Sequence, residues 1–258
     1  MQSTGSFLNP NPISIRTLSK SYGSKEILKE ISLDVPHKET LVILGRSGTG
    51  KSVLLRHILG LEKGDKGSIF IDGQKEEHTS SFNHRIGMLF QGSALFDFLN
   101  VEDNVSFFLK EHGDPETKER LSAAEIKKRT QQALNDVELE GFEKTMPSDL
   151  SGGQKRRVAL ARLLIYKPTI LLYDEPTTGL DPITSEQITH LINRTKEKLD
   201  ATSVLITHDI PFAKSVGTIF AFLHEGSIRL IDKRANFFKT EDSVIKQFLS
   251  AHHYEEKL

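Results

Sequence analysis

The chain has 258 residues, 37% of them apolar and 27% charged, as in ordinary globular proteins, and is long enough for one large domain or two small ones. Its 34 Lys and Arg balance 35 Asp and Glu, so the charge gives no argument for nucleic acid or an anionic membrane surface as a partner. The absence of cysteine excludes disulfides, cysteine-ligated zinc and thiol catalysis.

Residues 1–12 carry no basic stretch followed by an apolar run, so no signal peptide is expected there. Between 13 and 44 the pattern is one of strands and turns. Ile13 and Ile15 alternate with polar residues, as do Ile31, Leu33 and Val35. Residues 41–44 form a buried-strand run that ends at Gly45, and 53–59 reads as a helix. Residues 67–73 read as a further strand closed by a Gly turn. From about 92 to 162 the pattern changes, and 116–139 is rich in the helix formers Lys, Glu, Ala and Leu. Strand runs return at 169–173, before Asp174, and at 202–207, before His208. The apolar runs 41–44, 170–173 and 219–223 fall far short of the ~20 residues that cross a bilayer. Strands alternating with helices predict a mainly parallel sheet with ligands at the C-terminal ends of its strands. In the tail, 242–258, Val244, Ile245, Phe248 and Leu249 recur at helical intervals, which predicts a helix packed on the chain's own body.

Three motifs carry chemistry. Gly45, Arg46, Ser47, Gly48, Thr49, Gly50, Lys51 and Ser52 fit G-x-x-x-x-G-K-[ST], with a strand before and a helix after. Glycines let N–H groups face a phosphate with no Cβ in the way, and the helix start adds the positive end of its dipole. In such a loop Lys51 is expected to neutralise the β- and γ-phosphate oxygens and Ser52 to ligate Mg2+. The second motif is the strand run ending in Asp174 and Glu175. Neighbouring strand residues point to opposite faces, so both carboxylates reach one site only because the strand stops there. Asp174 is expected to hold the Mg2+ shell, and Glu175 to orient or deprotonate an attacking water. The third is Leu150, Ser151, Gly152, Gly153 and Gln154, followed by a basic, helix-forming run over 155–162. Small residues at a helix start expose N–H donors, which predicts a second anion site.

With 150–154 the chain resembles the ABC ATPase family, over roughly residues 13–235. The resemblance implies an α/β fold: a P-loop NTPase core with a mainly parallel sheet, an N-terminal antiparallel β subdomain and an α-helical subdomain over about 92–162. Residues 236–258 would follow as a C-terminal helical tail. It implies ATP hydrolysis with ATP and Mg2+ bound, and roles for further residues. Tyr22 looks like the aromatic that stacks on adenine. Gln91 looks like the glutamine that touches Mg2+ and senses the membrane partner, and Asp181 marks the loop that communicates across a dimer. His208 looks like the switch histidine at the γ-phosphate. The family arrangement is a head-to-tail homodimer in which 150–154 of one chain completes the ATP site of the other.

Residues 88–105 are similar to the corresponding stretch of the maintenance-of-lipid-asymmetry (Mla) ATPases and their chloroplast and mycobacterial relatives, as are 48–58, 146–150 and 181–184. Some of those proteins carry Met where this chain has Gln154. The resemblance implies a subunit that energises a separate integral membrane permease, for phospholipid or another hydrophobic substrate, at the cytoplasmic face of the inner (plasma) membrane. The alternatives are an ATPase for a polar-solute transporter and a mechanical switch such as a cell-division ABC ATPase. The single cassette, with neither coiled coil nor cysteine, speaks against translation and DNA-repair types.

Overall fold

The computed structural model describes residues 10–76 and 84–251. Most of the stretch considered for a signal peptide, and the tail from 252 on, lie outside them.

A ten-residue strand, β1 (Ile13–Tyr22), turns at Gly23 into β2 (Lys25–Val35), and the two pair antiparallel. β4 (Lys66–Ile71) joins the free edge of β1, and the short β5 (Gln74–Lys75) follows it, giving the order β2-β1-β4-β5. The second sheet holds β3 (Thr40–Leu44), β6 (Ile86–Leu89), β7 (Ile170–Asp174), β8 (Thr202–Ile206), β9 (Ile219–His224) and β10 (Ser227–Lys233). Its order is β10-β9-β3-β8-β7-β6, parallel throughout except for the antiparallel edge strand β10.

The parallel strands are apolar on both faces because both faces are covered. In β3, Leu41 and Ile43 point to a core shared with the antiparallel sheet and with α1 (Lys51–Ile58). Val42 and Leu44 point the other way, into a core built with α2 (Val101–His112), α3 (Ala123–Asp136), α4 (Gly152–Tyr166) and α5 (Pro182–Leu199). Each such side chain, fully buried, contributes about 1.5–3 kcal/mol. The 3-10 turn Pro147–Asp149 leads into α4, and α6 (Ile210–Val216) follows β8. After β10 come α7 (Arg234–Phe237) and α8 (Ser243–Ala251). α8 buries Ile245, Phe248 and Leu249, with Phe248 edge-on to Phe222 at 5.1 Å. Among the described residues no helix is long and apolar enough to cross a membrane.

Element boundaries depart from expectation at three places. α1 starts at Lys51 rather than 53, directly on Gly50. The helical stretch expected from 116 begins only at Ala123, because Asp114 accepts from the N–H groups of Glu116 and Thr117 and folds that segment into a turn. Arg129 of α3 then locks the turn with an ion pair to Asp114 at 2.7 Å. α4 runs on to Tyr166 and ends at Lys167 in a left-handed conformation.

Candidate functional site

Four adjacent parallel strands, β3, β8, β7 and β6, deliver the expected residues at their C-terminal ends. β3 opens into the loop 45–52, β8 into Thr207 and His208, β7 into Asp174 and Glu175, and β6 into Gln91. This is the side of a parallel sheet where α/β folds bind ligands.

The loop is shaped by close approach. A Cβ on Gly45 would press into the carbonyl oxygen of Leu223 on β9. Gly48 and Gly50 hold φ of +76° and +102°, where an L side chain is strained. At Gly50 no side chain caps α1, whereas α2, α3, α4, α5 and α6 are capped by Asn100, Ser122, Ser151, Asp181 and Asp209. The first N–H groups of α1 are thus left for an anion. Lys51 is buried, and its Nζ donates to the carbonyls of Gly45 (2.8 Å) and Arg46 (2.9 Å). Burial lowers its pKa, opposed by the charges of Glu175 and Asp174.

Ser52 donates from Oγ to Asp174 Oδ1 at 3.1 Å. Burial raises the Asp174 pKa, and the Ser52 hydrogen bond opposes that rise. A hydroxyl and a carboxylate side by side next to an uncapped helix start are hard oxygen donors that fit a Mg2+ ion bound with a polyphosphate. Glu175 follows with φ +48°, a left-handed turn that swings its carboxylate out of the strand alternation. Its Oε2 meets His208 Nδ1 at 2.9 Å and accepts from Thr178 Oγ1 at 3.1 Å. His208 and the loop residues Gly179 and Leu180 line one open groove between α5 and α6. Asp181 ends that loop as the cap of α5, accepting from Thr184 N at 3.0 Å, and hydrogen bonding from Thr184 lowers its pKa.

Residues 150–154 lie at the start of α4, with Gly152 next to Leu180 of the loop before α5. Ser151 caps α4: its Oγ accepts from Gln154 N (3.2 Å), and Gln154 Oε1 accepts from Ser151 N (2.8 Å). This reciprocal capping box satisfies the N–H groups of Gln154 and Ser151 and does not involve those of Gly152 and Gly153. Gly153 is small for packing: a Cβ there would lie 2.5 Å from Thr184 Cγ2 on α5. Tyr22 sits at the end of the β1–β2 hairpin, whose Ile27 and Leu28 pack against Gly50. Gln91 is exposed at the end of β6.

Sequence reasoning missed Arg156. It is buried on α4 and donates to Pro176 O (3.0 Å), Phe90 O (3.3 Å) and Ser93 Oγ (2.7 Å). It thereby joins the segments that follow Glu175 and flank Gln91. Ser93 and Ala94 both hold positive φ, at +62° and +46°. Arg162 secures the same segment, donating to Ala94 O at 2.6 Å and lying 5.2 Å over the Phe96 ring. The one available signal was the basic run itself, in which Arg156 and Arg162 stand among the apolar residues of the helix. Beyond them Phe96 contacts Phe98 (5.8 Å) and Phe107 (4.8 Å), with Phe98 78% exposed.

Comparison with known proteins gives the family and the fold. The family model described as ABC transporter matches residues 28–178. A probable ribonucleotide transport ATP-binding protein of Mycobacterium leprae is 37% identical over 243 residues, 92% of this chain and 68% of that protein. The chloroplastic protein trigalactosyldiacylglycerol 3 of Arabidopsis thaliana is 38% identical over 258 residues, 92% of this chain and 72% of that protein. Relatives of similar identity are named as iron and sulfate importers. The chain spans about two thirds of the length of these relatives, from 60% to 72%. Among solved structures, a dimeric ATP-binding cassette bound to ADP and Pi in a post-hydrolysis state superimposes with a TM-score of 0.75 at 32% identity. That match covers 86% of this chain and 98% of the other.

Proposed function

From the premise that the chain belongs to the ABC transporter family and is an ATPase, we propose that it hydrolyses MgATP between two copies of itself to drive a separate membrane permease, with phospholipid or another hydrophobic molecule as cargo. The observation that carries the catalytic reading is the convergence of Lys51, Ser52, Asp174, Glu175 and His208 at the ends of three neighbouring strands.

The roles follow from that geometry. Lys51 exchanges its two carbonyl contacts for phosphate oxygens, aided by the N–H groups at the start of α1. Ser52, Asp174 and Gln91 would hold the Mg2+ ion, which when bound neutralises phosphate charge. Glu175 accepts a proton from water as its oxygen attacks the γ-phosphorus and the bond to the β–γ bridging oxygen breaks. His208 orients Glu175 through the 2.9 Å contact and faces the γ-phosphate. Tyr22 offers its ring to adenine. Residues 150–154 serve the nucleotide of the second copy.

The cargo reading rests on the similarity of 88–105 to lipid-transport ATPases and on the relative named after a galactolipid. Phe96, Phe98 and Phe107 support the same segment as the permease-facing surface. A polar-solute transporter is the second reading, favoured by relatives named for ribonucleotide, iron and sulfate transport. Extraction of the intact membrane complex through a tag on this chain tests both. We expect an integral membrane permease carrying bound phospholipid. Recovery instead with a soluble binding protein for a small polar solute would reverse the cargo assignment.

A further inference from the structure

The loop after α1 grips the end of β1 at several points. Asp65 N donates to Ser19 O at 2.9 Å, and Ser21 N donates to Asp65 Oδ2 at 2.7 Å. Lys20 Nζ donates to Lys63 O at 2.9 Å and pairs with Asp65 Oδ1 at 3.3 Å. Gly64 lets the loop lie this close, since a Cβ there would stand 2.5 Å from Leu18 Cδ1. The phenol of Tyr22 donates to Glu62 Oε2, while Glu62 Oε1 accepts from Arg56 Nε at 2.6 Å. Arg56 belongs to α1, the helix that begins at the phosphate loop. Lys20 Nζ lies 5.5 Å from the centroid of the Tyr22 ring.

These contacts order a ring that would otherwise swing freely. Tyr22 is 45% exposed and stands at a hairpin end, where a tyrosine without a tether samples several rotamers. Holding the hydroxyl leaves the flat of the ring presented and removes the ordering cost from the binding step. Lys20 shields one side of the ring, so an incoming base takes the other.

We infer that Glu62 is the positioning residue for adenine recognition: it fixes the Tyr22 ring through its hydroxyl and ties that platform, through Arg56, to the helix that binds the phosphates. The inference rests on the reading of Tyr22 as the adenine-stacking residue.

Equilibrium binding to the full chain, of a non-hydrolysable ATP analogue and of inorganic tripolyphosphate, tests it. Both ligands meet the phosphate loop, but tripolyphosphate has no base. We expect Glu62→Ala and Tyr22→Phe each to weaken the ATP analogue ~2- to 10-fold, the range set by freeing one side chain. Tripolyphosphate affinity should stay within twofold. Combining the two substitutions should add nothing beyond either alone, since both remove the same hydrogen bond. Glu62→Gln, which keeps an acceptor for the phenol, should bind more tightly than Glu62→Ala. The chain has no tryptophan and four tyrosines, so the part of the tyrosine quenching that disappears in Tyr22→Phe reports the stacking step. Unchanged analogue affinity in both Glu62→Ala and Tyr22→Phe, with a loss in Tyr22→Ala, would overturn the positioning role and leave stacking intact. Equal losses for both ligands would overturn it too, as damage to the phosphate site. If Tyr22→Ala leaves the ratio of the two affinities unchanged, the stacking premise fails, and the inference with it.

Discussion

At the scale of single residues, Glu175 is in the most telling position. Its left-handed backbone brings it beside His208 and Thr178 while Asp174, one residue earlier, stays on Ser52. The two carboxylates therefore meet different partners although they are adjacent in the chain. Replacing Glu175 by Gln keeps the size of the side chain and removes the proton acceptor. We expect ATP to bind as before and turnover to fall by ~10²–10⁴-fold, the cost typical of losing a general base. Single-turnover hydrolysis beside a binding titration separates the two effects. Turnover close to that of the unaltered chain would take Glu175 out of this role.

Among the elements, the connection between α2 and α3 shows how one carboxylate replaces a helical turn. Asp114 accepts from two backbone N–H groups and pairs with Arg129, and its side chain is only 10% exposed. Hydrogen bonds from Thr117 and Arg129 lower its pKa from 3.8 to about 2. The folded value lies below the unfolded one, so the stabilisation is complete above about pH 4 and is lost as the pH falls toward 2. We expect Asp114→Asn to destabilise the protein by about 1–2 kcal/mol at pH 7, allowing for the partly exposed arginine. The difference from the unaltered chain should narrow between about pH 4 and pH 2.5. Urea unfolding at a series of pH values measures this, and a gap of equal size at pH 6 and pH 3 would refute the account.

For the molecule as a whole, the second glycine-bearing helix start, at residues 151–153, is the informative feature. Within residues 150–154 the capping box takes up the N–H groups of Ser151 and Gln154, and those of Gly152 and Gly153 are not part of it. Two different lesions test whose nucleotide that segment serves. Lys51→Ala removes a phosphate contact, and Ser151→Arg fills the space at the start of α4. Each homodimer carries two damaged sites and is expected to be inactive. In a heterodimer of the two, isolated through separate tags, a head-to-tail arrangement gathers both lesions at one site and leaves the other intact. Nucleotide occlusion near half of the unaltered level is then expected. No occlusion would mean that each chain's segment serves its own ATP.

Features encoded within a few consecutive residues were legible in the sequence. The spacing of glycines before Lys51, the apolar run ending in Asp174 and Glu175, and the strand before His208 each follow from local backbone preference and alternation. The parallel sheet then brings them together, because strand ends in such a sheet share one edge. Even the capping box was written locally, in the Ser151 to Gln154 spacing. Contacts between remote segments were not legible. Nothing near Arg156 announces that it will reach Phe90, Ser93 and Pro176, and nothing near Glu62 announces Tyr22. Nor does composition reveal that Ser93 and Ala94 adopt left-handed backbone, since neither residue type favours it. Local sequence is enough to specify the groups themselves: a glycine-rich loop before Lys51, a pair of carboxylates, a histidine and a capped helix start. Which side chains hold those groups in place depends on the distance between chain segments remote in sequence, and packing alone sets that distance.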